Sequence, residues 1–358
     1  MSGSGQREFV QTTRALRVVF SAGATARARD EIERLGARRA LLVTTPRGAE
    51  ATADLQRLLG GRLAGVFGGA RLHVPAKVVR AGIDEADRVR ADGLVAVGGG
   101  SAVGAAKAIA VQTGLPILAL PTTYSGSEMT SVWGVTEAQG KRTGRDPRAA
   151  PRAIIYDPLA TLELPPDTSA ASGVNALAHA VEALYAPDAG PLAGLLAEEG
   201  IRALVHALPR VVADPRGLAG RSEALYGAHL SGWALDLTSM GLHHKLCHVV
   251  GGSFDLPHAL VHAILLPHVV AFNQPAAPGA MARIDRSLGG NSPARSLFDL
   301  NRTLGITTTL AELGLGPAEL DRAAELAMAD SYPNPRRVDR KGVREILARA
   351  AGGIRPDP

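Results

Sequence analysis

Along the first half of the chain, short apolar runs alternate with stretches whose apolar positions recur every three or four residues. The runs at 17–20 (RVVF), 39–45 (RALLVTT), 94–100 (LVAVGGG), 116–123 (PILALPTT) and 153–157 (AIIYD) have the length and apolar content of buried strands. ATARARDEIERLG and PAKVVRAGIDEADRVRAD, which lie between them, carry helical periodicity. Strands separated by helices predict a parallel sheet covered on both faces. The character changes at 157–173, DPLATLELPPDTSAASG, whose prolines and serines read as an interdomain connection. Beyond it the strand signal disappears. NALAHAVEALYA, GLLAEEGIRALVHALPRVVAD, SEALYGAHLSGWALDL, HHKLCHVVGG, HALVHAILLPHVVAFN and GVREILARAAGG are all helical in pattern. The expectation is an α/β N-terminal domain with a parallel sheet, residues 1–157, followed by an all-α C-terminal domain, residues 158–358.

The segment LVAVGGGSAVGAAKAIA (94–110) reads as strand, glycine turn and helix. Gly98, Gly99 and Gly100 let the backbone turn tightly and approach a ligand that side chains would exclude. A helix starting near Ser101 offers free N–H groups and a positive dipole end to an anion such as pyrophosphate. The spacing is neither GxGxxG nor GxxxxGK[ST], and a tight connection without a ligand stays open on these residues alone. PTTYSGSEMTSVWG (121–134) follows the next strand and brings Thr122, Thr123, Ser125 and Ser127 to the same carboxyl edge, where open α/β sheets bind ligands. Two such loops after consecutive strands point to a nucleotide.

Composition narrows the classes. A hydrophobic fraction of 46% and 20% charged residues over 358 positions suit a folded core. The single cysteine, Cys247, allows no internal disulfide and suits a reducing compartment. The N-terminus shows no apolar leader, and no uninterrupted apolar run reaches about 18 residues. A cytoplasmic protein without a membrane partner is expected. The net charge of +5 comes from arginines scattered among acids, and aromatics are only 4%, so no nucleic-acid partner is expected.

Six of the ten histidines fall between Gly241 and His268. Asn175 and His179 are four residues apart on one helix face, and His244 and His248 repeat that spacing. His258 follows ten residues later, after a GGSFDLP turn. His243 points away from the His244/His248 face and reads as structural; His73, His206 and His229 are isolated, and His262 and His268 stay open. A metal site of this kind normally includes a carboxylate when a hard cation is held. Position 175, where one would complete the set, carries an amide.

Together these motifs resemble the iron-containing alcohol dehydrogenase superfamily, which also contains dehydroquinate synthase. That group pairs a GGGS loop and a PTT…GSE turn with D-x-x-x-H, then H-x-x-x-H, then a ten-residue step to P-H. Asn175 stands at the aspartate position, His179, His244 and His258 match the ligand histidines, and His248 matches the histidine near the substrate. PTTYSGSEMT, SGVNALAHAVEALYA, HHKLCHVVGGSFDLPH and SYPNPR are most similar to the maleylacetate reductase branch, from about residue 16 to 350. The asparagine is characteristic of that branch.

The resemblance implies a Rossmann-like NAD(P)-binding domain and a helical catalytic domain. It also implies reduction of the conjugated C=C bond of maleylacetate, or of a related enone, to 3-oxoadipate, with NADH or NADPH. A small-molecule substrate and a homodimer follow from the same likeness. With no carboxylate at Asn175, no metal is required: His179, His244 and His258 become donors to substrate oxygens and His248 the acid. Lys245, if it points inward, and Trp133 are substrate-side candidates. The cofactor is expected on Gly98, Gly99, Gly100, Ser101, Thr122, Thr123 and Ser125, with Lys141 alongside. Thr44 and Thr45 stand where many dehydrogenases of the superfamily carry an NAD-selecting aspartate, and Arg47 is close enough in sequence to attract a 2′-phosphate. Trp133, Val135, Leu260 and Val261 suggest a less polar surround, suited to a chlorinated substrate or an enone of a secondary pathway. The competing expectations are a metal-dependent alcohol dehydrogenase reducing aldehydes and a lyase or cyclase whose cofactor is not turned over.

Overall fold

The computed structural model describes residues 9, 11–137, 140–290 and 292–357. Strand β1 (Arg17–Phe20) leads to α1 (Ala28–Arg34), β2 (Ala40–Val43), α2 (Pro46–Ala51), α3 (Ala53–Leu59) and β3 (Leu63–Phe67). Next come α4 (Ala76–Arg88), β4 (Gly93–Gly98), α5 (Gly100–Thr113) and β5 (Ile117–Pro121). A hairpin of β6 (Val132–Glu137) and β7 (Gly140–Arg145) precedes β8 (Ala153–Tyr156). Among the described residues every later element is helical: α6 (Pro166–Tyr185), α7 (Pro191–Ala213), α8 (Leu218–Asp236), α9 (Leu242–Ser253) and α10 (His258–Asn273). The rest are α11 (Pro278–Leu288), α12 (Pro293–Thr303), α13 (Pro317–Ala327) and α14 (Arg340–Ala351).

Six strands form one parallel sheet in the order β1-β8-β5-β4-β2-β3. Its inner strands are buried on both faces, which is why they read as continuous apolar runs rather than alternating ones. The chain leaves β2 for β3 on one side and leaves β4 for β5 on the other. Loops that diverge in this way open a crevice beyond the carboxyl ends of β2 and β4, the usual ligand position of such sheets.

The structure trims the strand expectations at the carboxyl ends. The run at 94–100 stops at Gly98, whose φ of +137° no side-chain-bearing residue adopts easily, and α5 begins at Gly100. Thr45 caps α2 instead of extending β2, accepting the Gly48 N–H at 3.2 Å. Strand β3, which has no clear signal in the sequence, is an only partly buried edge strand with two small residues. The β6–β7 hairpin is also missed, because its polar residues lack a buried face. The stretch at 157–173 is only partly a connection. From Pro166 it is already α6, with Pro at the first helical position where its missing N–H costs nothing.

Helix α6 is apolar nearly all round and runs through the core with α7 and α8. Tyr124, Met129, Ile154 and Tyr156 of the α/β half share one buried cluster with it. Fully buried Arg221 ties the seam, donating to the Tyr124 hydroxyl, Ser169 Oγ, Leu164 O and Pro215 O. One stretch among the described residues, His258–Ala276, is long and apolar enough to cross a membrane. It is 61% buried in the fold and packs as a core helix.

Candidate active site

The crevice between β2 and β4 widens into a cleft of about 490 Å³ that runs to the helical half. Its inner end is built on the glycine turn. Thr122 N donates to Gly98 O at 3.1 Å, carrying the β4–β5 register one residue past the strands. This sets the 99–101 backbone against the 123–125 loop so closely that a Cβ on Gly99 would lie 2.7 Å from Thr123 Cγ2. Gly99, Gly100, Ser101, Thr123 and Ser125 line the cleft, and the Thr123 and Ser125 hydroxyls are buried without a partner. Buried polar atoms are nearly always paired, so these two are placed for a ligand. The N-terminus of the 14-residue α5 opens at the same point.

The remaining cofactor expectations divide. Thr45 lines the cleft, whereas Thr44 is turned into the fold, its Oγ1 donating to Val97 O at 2.8 Å. Gly98 and Thr122 shape the turn without lining the cleft. Lys141 lies on β7, and its side chain is outside the described residues.

Beyond Ser125, the next turn is held by two close contacts. Gly126, at φ +69°, packs against α8 so tightly that a Cβ on Gly232 would sit 2.3 Å from Gly126 O. Lys107, buried on α5, donates to Ser127 O and Thr130 Oγ1, each at 2.8 Å, and also lines the cleft. Burial pulls its pKa down to about 7, against the opposing pull of Asp236 and Glu128. The hairpin closes the far side. Thr136 Oγ1 donates to His73 O at 2.7 Å, and Arg145 donates to Leu235 O, Asp236 O and Thr238 O. Trp133 of β6 lines the cleft, with the Arg142 guanidinium 5.2 Å from its ring centroid. Val135, Leu260 and Val261 do not line it: Val135 and Val261 are buried in the core, and Leu260 packs against the helical core cluster. The less polar surround therefore rests on Trp133, Leu72, Val132, Leu235 and Met240 instead.

The outer end is the histidine wall. Asn175, His179, His244, His248 and His258 all line the cleft, brought together from α6, α9 and the start of α10. His179 stacks on His244 with ring centroids 5.1 Å apart, and His248 stacks on His258 at 5.9 Å. His73, read as isolated, also reaches the cleft, its Nε2 3.5 Å from Asp255 Oδ1. Lys245 does not join the wall: its amine is held by Asp330 Oδ2 at 2.5 Å.

Two residues stand behind the wall, Glu182, which the sequence reading missed, and His262, which it left open. Glu182 is fully buried on α6 and accepts the His243 backbone N–H at 2.9 Å and the Nδ1–H of His244. Burial alone would raise its carboxyl, but the charge and hydrogen bond of His244, followed by the charge of His243, hold it below the usual range. This leaves His244 Nε2 as the atom facing the cleft, buried and without a partner. The signal was present: 175, 179 and 182 are spaced i, i+4, i+7, one helix face. The second residue is His262, one turn beyond His258. Its Nε2 lies 3.1 Å from His258 Nε2, and its Nδ1 lies 2.9 Å from His243 Nε2. Burial drives the pKa of His179 and His262 far below the ordinary imidazole value, helped by neighbouring histidines, and takes His243 to about 3.

Comparison with known proteins places this geometry. The pattern described as iron-containing alcohol dehydrogenase matches residues 15–158, and that of the family's C-terminal part matches 169–351. The chain belongs to the iron-containing alcohol dehydrogenase family. A maleylacetate reductase of Burkholderia cepacia is 50% identical over 351 residues, covering 97% of this chain and 99% of the relative. The structure of an Agrobacterium tumefaciens maleylacetate reductase superposes with a TM-score of 0.93 at 45% identity, covering 98% of this chain and all of the other. An iron-containing alcohol dehydrogenase of Corynebacterium glutamicum also scores 0.93, at 38% identity over 98% of this chain and 99% of its own.

Asn175, His179, His244 and His258, the residues expected at a metal position, line the same end of the cleft. Asn175 Oδ1 and His244 Nε2 are orphaned and could face a ligand, but the set contains no carboxylate, and His258 Nε2 already faces His262. Among the described residues, three ligand-type atoms lie within 4.8 Å of one another only at His243, Cys247 and His262. Two nitrogens on a tetrahedral zinc lie about 3.3 Å apart. His243 Nε2 and His262 Nδ1 are 2.9 Å apart, the spacing of a hydrogen bond.

Proposed function

We propose that this chain is a maleylacetate reductase. It reduces the conjugated C=C bond of maleylacetate, or of a substituted or related enone, to 3-oxoadipate or its analogue, using NADH or NADPH and no resident metal. The observation that carries the reading is Asn175 at the head of a wall of otherwise imidazole donors, continuous with the glycine-turn end of one cleft. The similarity to curated maleylacetate reductases at 45–50% identity over nearly full length supports it.

The residues fit the cofactor. The backbone of Gly99, Gly100 and Ser101 at the α5 N-terminus would hold its pyrophosphate, with Thr123 Oγ1 and Ser125 Oγ as further donors. When bound, NAD(P)H supplies the hydride. Thr45 is the polar group at the end of β2 where a carboxylate would repel a 2′-phosphate, so both cofactors are accepted.

Hydride addition to an enone moves negative charge onto the ketone oxygen and leaves an enolate whose α carbon must take a proton. Asn175, His179 and His244 supply donors on one side of the cleft. With its Nδ1–H held by the Glu182 carboxylate, His244 donates from Nε2 only as the imidazolium, whose charge that carboxylate balances. His248, partly exposed and stacked on His258, is the group able to deliver a proton to carbon and recover it from solvent. The donor set does not fit a resident iron, because a neutral amide and three imidazoles bring no charge to a hard cation.

The test is a spectrophotometric assay of purified protein with maleylacetate and each cofactor, with and without a chelator. Stoichiometric loss of NADH or NADPH absorbance, unchanged by chelation, is expected. Aldehyde reduction lost on chelation, with one iron or zinc per chain, would replace the reading with a metal-dependent alcohol dehydrogenase. Substrate turnover without cofactor loss would point to a lyase or cyclase. By the same likeness we propose a cytoplasmic homodimer, whose stoichiometry light scattering checks.

A further inference from the structure

Behind the histidine wall, three imidazoles form a chain of hydrogen bonds leading from the cleft into the core. His258 lines the cleft, His262 is fully buried one turn along α10, and His243 is fully buried on α9. The links are His258 Nε2 to His262 Nε2 at 3.1 Å and His262 Nδ1 to His243 Nε2 at 2.9 Å. Cys247 Sγ lies beside the same link, 3.5 Å from His243 Nε2, and leaves the inner nitrogen, Nδ1, without a partner. The proposed reduction places His258 on the wall but uses neither inner ring.

A neutral imidazole has one N–H and one lone pair. Because both nitrogens of His262 are engaged, it must donate in one direction and accept from the other, so the two links run the same way along the chain. Two directions are then possible, and the inner end decides between them. His243 Nδ1 is buried with no partner. A proton there would be an orphaned buried N–H, the rarest kind of unpaired group, whereas a bare lone pair is tolerated better. His243 therefore carries its proton on Nε2 and donates to His262 Nδ1. His262 in turn carries its proton on Nε2 and donates to His258 Nε2. The lone pair of His258 Nε2 is occupied, and a neutral His258 must hold its proton on Nδ1.

We infer that His262, backed by His243, is a positioning residue that fixes His258 as its Nδ1–H tautomer and holds its ring in the cleft wall. The chain is a lock and not a proton wire. Moving a proton outward through it would leave His243 as an imidazolate beside buried, ionised Glu182, with nothing to resupply it. Any proton spent on the product must come from the solvent side. The lock also keeps His258 Nε2 from serving as a ligand atom. This inference deepens the proposed reductase reading through the role of His258, but the tautomer itself does not depend on the substrate.

The experiment joins two readouts on the full-length protein. With ¹⁵N-labelled histidine and no substrate, the His258 resonances, assigned by their loss in His258→Gln, should show a protonated Nδ1 and an unprotonated, hydrogen-bonded Nε2. A protonated Nε2 on neutral His258 overturns the inference whatever the substrate proves to be. In steady-state assays, His262→Gln keeps an N–H near the original Nε2 and should stay within about threefold of the parent kcat. His262→Leu should lose about tenfold or more in kcat, with the NADH dissociation constant unchanged. Equal losses in both variants, or none in either, would assign His262 to packing alone. If His262→Leu does not fold, the tautomer assignment and the His262→Gln rate still decide. Failure of maleylacetate as substrate, with the Nδ1–H tautomer present, would count against the proposed function and not against the lock.

Discussion

Glu182→Gln removes one buried charge while leaving shape and volume almost unchanged. In the parent the ionised carboxylate accepts twice, from the His243 backbone N–H at 2.9 Å and from His244 Nδ1–H. A glutamine can accept at only one end. If its oxygen keeps the His243 N–H, its amide NH₂ faces His244 Nδ1, which must give up its proton to accept. His244 then carries N–H only on Nε2, and the buried carboxylate that balances a charged hydrogen-bond donor is gone. A hydrogen bond involving a charged group is worth about 1.5–3 kcal/mol, and losing it where oxyanion charge develops should lower kcat by about 10- to 150-fold. Glu182 does not line the cleft, so the NADH dissociation constant should not change. The assay is NADH oxidation at saturating maleylacetate, paired with cofactor titration by fluorescence and a circular dichroism check of folding. A folded variant with kcat within about twofold of the parent would refute the role given to the Glu182–His244 pair.

Asn175→Asp should tighten zinc or iron binding by about tenfold or more by adding the missing charge, read as metal retained after dialysis; equal retention by parent and variant would undercut the charge argument. Gly99→Ala places a Cβ 2.7 Å from Thr123 Cγ2 and forces a stiff β-branched side chain to move. At about 1–3 kcal/mol of overpacking, the NADH dissociation constant should rise by about tenfold, and an unchanged value would move the cofactor away from this turn. His268, buried and then repelled by Arg349, has its pKa lowered to about 4. Because its folded value lies below the unfolded one, its contribution is complete above about pH 6.5 and is lost as pH falls towards 4, about 2 kcal/mol at pH 5. His268→Leu should therefore lose about 2 kcal/mol less unfolding free energy than the parent between pH 7.5 and 5 in urea titrations; equal losses would contradict the burial argument.

What the sequence determined by itself was whatever periodicity and local chemistry encode. Buried parallel strands are apolar throughout, so five of the six strands of the parallel sheet were legible, while β3 and the hairpin were not, having no full apolar face. Asn175, His179, His244, His248 and His258 were legible because i,i+4 spacing fixes a shared helix face before any tertiary contact exists. The glycine turn was legible because only glycine suits the φ of Gly98. Tertiary structure alone decided which way each remaining side chain faces and what it meets. Thr44 and Thr45 are neighbours in sequence, yet one caps the β4 backbone and the other faces the cleft. Lys245 could equally have reached the cleft until Asp330, 85 residues away, took its charge. His243 and His262 differ from any buried histidine only in their partners, which come from two helices packed together in the fold. Spacing along a helix is set by the backbone, whereas hydrogen-bond partners between helices are set by packing.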